Sequence, residues 1–273
     1  MELCDDARWA ETDDEQVRAI SALYPGETVY FVSDSRGEKT NLKETKTHTF
    51  KFSDNPELIL KNAEICGVCA LRGIPVPKIT PREYGGLFFE EYPRIDGINL
   101  YQAIQQGIGA KQIQEIYRDI IKCFAKMDKV SPSQLYKNPI NHVHNVARIT
   151  TAKNNNPFIA NLIGVAVYAM NAGKYSDKAF YHTNISPKNI IVSHDGNFVA
   201  LVDADEIAIA DRNYAFGAMA AKYQEIGMNM NDLFNTYYQI GDYQLNKSRV
   251  QMMANTNALG QKLLWMHKQS KTK

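Results

Sequence analysis

Apolar positions in the first ninety residues fall in short runs bounded by turn residues, whereas from residue 98 onward they recur at helical spacing. Thr28-Val29-Tyr30-Phe31-Val32 reads as a strand, Ser33 to Glu38 as a polar turn with Gly37, and Leu42 to Thr45 as a second strand. Thr49-Phe50-Lys51-Phe52 reads as a third strand, with Lys51 on the face opposite Phe50 and Phe52. Asn55-Pro56-Glu57 then combines an N-cap, a proline at the first helical position and an early acid, and predicts a helix closing at Gly73. Ile59, Ala63, Cys66 and Ala70 make its apolar stripe. Gly85 to Pro93 reads as a turn, a buried strand and a linker. Ile113, Ile116, Tyr117, Ile120, Ile121, Phe124 and Met127 predict a long amphipathic helix, residues 157 to 172 a second, and 219 to 268 two or three closing helices. In the last segment Met228, Met230, Leu233, Phe234, Tyr237, Tyr238, Leu263, Leu264 and Trp265 read as packing residues.

The chemistry concentrates between Tyr181 and Asp205. Ile190-Ile191-Val192, Asp195-Gly196 and Phe198 to Val202 predict a hairpin with a tight Asp-Gly turn. Its open end carries Asn189 and Asp203 side by side. An amide oxygen and a carboxylate are hard ligands suited to a Mg2+ ion that bridges nucleotide phosphates. Upstream, His182, Asn184 and Asn189 follow the spacing of a kinase catalytic loop, H-R-D-x-x-x-x-N, with one substitution. The position two after the histidine normally holds an Asp that accepts the proton of the substrate hydroxyl, and here it is Asn184. An amide positions a hydroxyl but has no basic lone pair near neutral pH.

The run His182, Asn184, Ile185, Pro187, Asn189, Ile190, followed by Val202, Asp203 and Asp205, resembles the aminoglycoside phosphotransferase and choline kinase family. The loop of that family reads H-G-D-L-H-P-x-N-I-L and its metal strand I-D-W/F-x-x-A. Ser186-Pro187 is similar to the small-molecule branch, since protein kinases carry a lysine at that point, and Ala210 to Ala215 is similar to the family segment G-D-P-x-Y-D-L without its last Asp. The resemblance covers roughly residues 28 to 220. It implies an α+β, protein-kinase-like fold of two lobes: a sheet-rich lobe over 1–92 with one helix, and a mainly helical lobe over 93–273.

The family likeness also implies roles. Lys51 is the candidate for the strand lysine that holds the α and β phosphates, with Lys43 as the alternative. Glu64 is the candidate for the helical Glu that pairs with it, against the plainer reading of a charge on a wet helix face. Backbone groups near Glu91 and Tyr92 would meet an adenine edge. Asn189, Asp203 and Asp205 would bind metal, and His182 would brace the metal strand without transferring protons. The lid over the phosphates has only Gly37, so Ser33, Ser35, Thr40 and Asn41 must supply its donors.

Composition narrows the partners. The chain has 273 residues, 44% hydrophobic and 22% charged, with no disorder signature. Its net charge of +1 gives no global field for nucleic acid or an anionic membrane, and the basic tail 268–273 reads as a solvated terminus. Glu2, Asp5 and Asp6 occupy the place of a signal peptide's positive region, so a cytoplasmic location is expected. The apolar stretch Phe158 to Met170 is too short to span a bilayer and is broken by Asn161. Cys66-x-x-Cys69 lies in a helical pattern without a second ligand pair, and Cys4 and Cys123 stand apart, so core packing is expected over zinc or redox chemistry. His142 and His144 have no companion ligands at metal spacing.

Two functions follow. The first is ATP- or other nucleoside-triphosphate- and Mg2+-dependent transfer of a phosphoryl group to a hydroxyl of a small molecule, crippled by Asn184. The second is a kinase-like module that binds nucleotide, or docks a protein partner, without turnover. A kinase of a macromolecule is weaker, since no basic stripe is visible.

Overall fold

The computed structural model describes residues 14–33, 39–130, 178–182 and 184–255. The expected turn at 34–38, the helix at 157–172, His142, His144, Cys4 and the segment beyond 255 lie outside the described residues.

The first half is a five-stranded antiparallel sheet with one helix ahead of its first strand and a second between its third and fourth strands. Helix α1 (Glu15–Leu23) is capped by Asp14, whose carboxylate accepts the N–H groups of Gln16 and Val17. Strands β1 (Tyr30–Ser33), β2 (Lys39–Glu44), β3 (His48–Phe52), β4 (Thr80–Tyr84) and β5 (Leu87–Pro93) pair in the order β1-β2-β3-β5-β4. Phe31, Phe50, Phe52 and Phe89 form the core under this sheet together with Val17 and Ile20 of α1. The period-two alternation of β3 puts Phe50 and Phe52 into that core and turns Lys51 to the other face. Strand β4 was not visible in the sequence because all five of its residues are exposed. It is an edge strand, where Pro81 is tolerated.

Helix α2 (Pro56–Leu71) begins at the Asn55 cap, which accepts the N–H of Leu58. Its inner face differs from the expected stripe. Ile59, Asn62, Ile65, Cys66 and Cys69 are buried, while Ala63 is half-buried and Ala70 exposed. Burial pushes the Cys66 thiol up, and that of Cys69 to about 12, so both are inert packing groups.

The second half is mainly helical. It contains β6 (Ile98–Asn99), α3 (Leu100–Gln105), α4 (Ala110–Met127), β7 (Lys178–His182), β8 (Ile190–Val192), β9 (Phe198–Leu201), β10 (Ile207–Asp211), α5 (Arg212–Glu225) and α6 (Met230–Tyr238), with a further helix over 247–255. The expected apolar positions of α4 are buried except Ile113, which is half-buried. Strands β6, β8 and β9 form one small sheet, and β7 pairs with β10 in another. The connector from β5 is not the sole link between the halves. Leu201 N–H donates to Pro75 O at 2.9 Å, Lys126 Nζ donates to Gly73 O at 2.6 Å, and Ile65 and Cys69 of α2 join the larger core. Among the described residues no helix is long and apolar enough to cross a membrane.

A buried polar knot fastens this half. Asp128, which follows α4, accepts the hydroxyls of Tyr181 and Tyr237 and Nε of Arg212 at 2.7 Å. The Arg212 guanidinium also lies over the Tyr243 ring, 3.5 Å from its centroid. Burial pushes the Asp128 carboxyl up to about 6, while Tyr237 and Arg212 pull it the other way. Asp211 caps α5 by accepting the N–H groups of Asn213 and Tyr214, and meets Arg249 at 3.2 Å. Replacing Asp128 by Asn removes the carboxylate that faces the buried Arg212, so urea denaturation should show a loss of about 3–5 kcal/mol. The milder Tyr181→Phe should cost about 1 kcal/mol.

Candidate active site

The hairpin of β8 and β9 pairs Ile190 with Leu201 and turns at Asp195-Gly196, where Gly196 has φ +79°. Just beyond it, Val202 N–H donates to Asn189 O at 3.0 Å, so Asn189 and Asp203 leave the open end as neighbours. Asp203 adopts φ 71° and ψ 66°, and it is the one non-glycine residue with positive φ among the described residues. A left-handed aspartate is held at a cost of order 1–3 kcal/mol, which marks positions where aim outweighs stability. The Asp203 carbonyl accepts Glu206 N–H at 3.1 Å and so opens the 3-10 turn Ala204–Glu206.

His182 joins the loop to this strand. Its buried ring bonds Val202 O through Nε2 at 2.7 Å and accepts the Asn184 N–H through Nδ1 at 3.4 Å. One nitrogen donates and the other accepts, which is the neutral imidazole. Burial lowers its pKa, with the Val202 carbonyl and Asp203 opposing. Asn184 itself is exposed. Its backbone oxygen accepts Nδ2 of Asn189 at 3.1 Å, and its side-chain amide hydrogen-bonds the Glu206 carboxyl. Burial and the neighbouring Asp203 raise the pKa of Glu206, while the Asn184 bond lowers it. Antiparallel pairing of Ile207 with His182 brings Glu206 beside the loop.

Lys51 reaches this cluster from β3. Its ammonium lies 2.8 Å from Asp203 Oδ1 and 2.7 Å from Asp205 Oδ2. Burial alone would lower its pKa, but the two carboxylates outweigh that and raise it. Lys43, the alternative, is almost fully buried elsewhere: Nζ bonds Gln16 Oε1 at 2.8 Å and Thr40 O at 3.1 Å and sits over the Phe31 ring. It ties α1 to the sheet.

Glu64 does not join Lys51. It is exposed, and Asn62 faces the cluster in its place. Two residues along a helix is a rotation of about 200°, so a chain that buries Asn62 with Ile59, Ile65 and Cys69 must turn Glu64 to solvent. Asn62 Nδ2 donates to Glu90 Oε1 at 2.5 Å and to Asp205 Oδ1. Glu90 stands opposite Lys51 in the β3–β5 ladder, on the same face of the sheet. Both residues escaped the sequence analysis, although each left a trace. Asn62 is a polar residue in phase with the apolar positions of α2, and Glu90 is a charge inside a strand predicted to be buried.

Asp205 spends one oxygen on Lys51 and the other on Asn62, so it serves here as a charge partner. Asn189 and Asp203 remain as hard oxygen donors that fit a Mg2+ ion completed by phosphates and water. Among the described residues no group of three or more His, Cys, Asp or Glu could hold a metal by itself. Glu91 is buried, its carboxylate paired with Arg82 at 3.0 Å, and it is flanked in the sheet by both Phe50 and Thr80. Its backbone is therefore inside the ladder. Tyr92, flanked by Thr49 alone, is the first residue of β5 with an open side.

Glu90 makes stability depend on pH. Burial, first, and the charges of Asp205 and Asp203 raise its pKa from 4.5 to about 7, against Asn62 and Lys51. The folded chain thus holds this proton more tightly than the unfolded chain. Its contribution is complete below pH 4.5 and is lost as pH rises to 7. Denaturation at pH 5 and pH 7.5 should show that Glu90→Gln removes part of the decline seen in the unsubstituted protein.

No family model and no curated protein sequence matches this chain. Solved structures do. The aminoglycoside-3'-phosphotransferase of type VIII is 14% identical with a TM-score of 0.63, and the match covers 90% of this chain and 99% of that one. APH(2")-IIia in complex with GDP and kanamycin is 10% identical at a TM-score of 0.64, covering 94% and 92%. Choline kinase LicA from Streptococcus pneumoniae is 13% identical at 0.57, covering 94% and 90%. At such identities the likeness is one of architecture. This chain has the kinase-like fold found in the aminoglycoside phosphotransferases and choline kinase.

Proposed function

We propose that the chain is a kinase-like protein that binds a Mg2+-nucleoside triphosphate between Lys51 and the Asn189–Asp203 pair, and that its chemistry is phosphoryl transfer to a hydroxyl of a small molecule, crippled by Asn184. The observation that carries this reading is the convergence of Lys51 with Asp203 and Asp205 at the end of the hairpin that holds Asn189. A lysine and a left-handed aspartate, drawn from opposite halves, form a site for polyphosphate charge. Solved neighbours hold ADP with streptomycin, or GDP with kanamycin, which supports nucleotide and small-molecule ligands for this fold. Mg2+, when bound, neutralises charge on the phosphates. Lys51 orients them, His182 steadies the strand that carries Asp203, and Asn184 positions a hydroxyl by hydrogen bonding. A reaction that consumes nucleoside triphosphate fits a cytoplasmic location.

The acceptor is a neutral or weakly charged alcohol as readily as a polycation. Glu225 is paired with Lys222 at 2.9 Å and Asp242 with Lys129 at 3.2 Å, so these acids form no converged anionic surface among the described residues. Asn184 favours a second reading, nucleotide binding without turnover, because it leaves the base position without a carboxylate.

Two measurements separate the readings. Thermal stabilisation by Mg-ATP or Mg-GTP is expected, and its absence with both nucleotides would sink the nucleotide site. Transfer from labelled ATP and GTP to aminoglycosides, macrolides and choline should rise about 100- to 10,000-fold in Asn184→Asp. Stabilisation without any such gain selects the binding module.

A further inference from the structure

Asn62 is fully buried, and both hydrogens of its amide are committed, one to Glu90 and one to Asp205. Two carboxylate acceptors fix the orientation of the amide, since a flipped amide would set its oxygen against them. Its Oδ1, by contrast, has no hydrogen-bond partner among the described residues. A buried carbonyl left without a donor is costly, and such atoms in folded proteins call for an explanation.

The neighbouring charges supply one. Lys51 lies on the same sheet face as Glu90 and spends two ammonium hydrogens on Asp203 and Asp205. Those aspartates belong to the strand end that meets the metal and phosphates. A bound nucleotide would offer its phosphate oxygens to Lys51, and its cation would claim the Asp203 carboxylate. The ammonium then needs a partner behind it, on the side of α2 and β5. The helical carboxylate of the family pattern is absent, because Glu64 points to solvent. The groups present there are the amide of Asn62 and the carboxyl of Glu90.

We propose that Asn62, held in orientation by Glu90, is the positioning residue for Lys51 in the nucleotide-bound state, its Oδ1 accepting the third ammonium hydrogen. The negative charge behind the lysine thus comes from strand β5 and is relayed through a neutral helical amide. This rests on the nucleotide-binding reading above and deepens it.

The test is a double-mutant cycle read by calorimetric titration with Mg-ADP. Asn62→Leu and the isosteric Glu90→Gln should each weaken Mg-ADP binding about tenfold to a hundredfold, the worth of one hydrogen bond to a charged group. Combined with Lys51→Met, neither should weaken it further, since the lysine through which they act is gone. The double variant Asn62→Glu/Glu90→Gln, which moves the carboxylate from strand to helix, should recover affinity. A merely structural role lowers the unliganded melting temperature and leaves Mg-ADP affinity unchanged. Unchanged affinity in Glu90→Gln, or losses that add in full to that of Lys51→Met, would overturn the inference while leaving the nucleotide site intact. No Mg-ADP binding by the unsubstituted protein would remove both.

Discussion

The Lys51 ammonium meets two carboxylates that arrive 152 and 154 residues later in the chain, and the geometry of the site follows from that contact. The lysine sits on a strand whose opposite face is packed into an aromatic core, so its backbone has no freedom to follow a moving partner. The aspartates must therefore come to it. Asp203 does so by adopting a left-handed backbone, and His182 secures the preceding residue through the Val202 carbonyl. Side chains at this site are one-fifth to one-third exposed, so solvent screens the pairing and its worth lies in aim more than in stability.

That aim depends on a helical half that does not shift. The Asp128 knot draws together the end of α4, β7, α5 and α6. Burying a carboxylate with one guanidinium and two phenols is a costly way to fasten a core. It specifies a single arrangement, however, and β7 is the strand that ends in His182. The knot and the brace therefore lie on one short element, so rigidity in the core is passed to the loop within a few residues.

The catalytic side is asymmetric. Metal-type donors, the lysine and the loop histidine are all in place, whereas the position for a base holds Asn184 against the Glu206 carboxyl. An amide beside a half-buried acid holds a hydroxyl and does not take its proton. Lys51, Asp203 and His182 are thus tied together, whereas the loop position that a carboxylate would fill holds an amide.

Much of this was legible one residue at a time. The Asp-Gly turn between β-branched runs, the Asn-Pro-Glu start of α2, the alternation of Phe50, Lys51 and Phe52, and the His–Asn–Asn spacing are local signals, and local propensity and periodicity decide them. Edge strand β4 and the β7–β10 pair were not legible, because strands stabilised by partners far along the chain need no apolar alternation of their own. The inward face of α2 differs from the expected stripe for a similar reason. Composition cannot say which face of α2 turns inward when cysteine, alanine and asparagine compete for it, and the choice is made by what lies across the interface. The chain by itself determined most of its elements, its hairpin and its kinase-like fold. Only tertiary packing decided that Asn62 rather than Glu64 turns to Glu90 and Asp205, and that Glu90 stands opposite Lys51, since the first depends on the rotation of a helix against a sheet and the second on strand pairing.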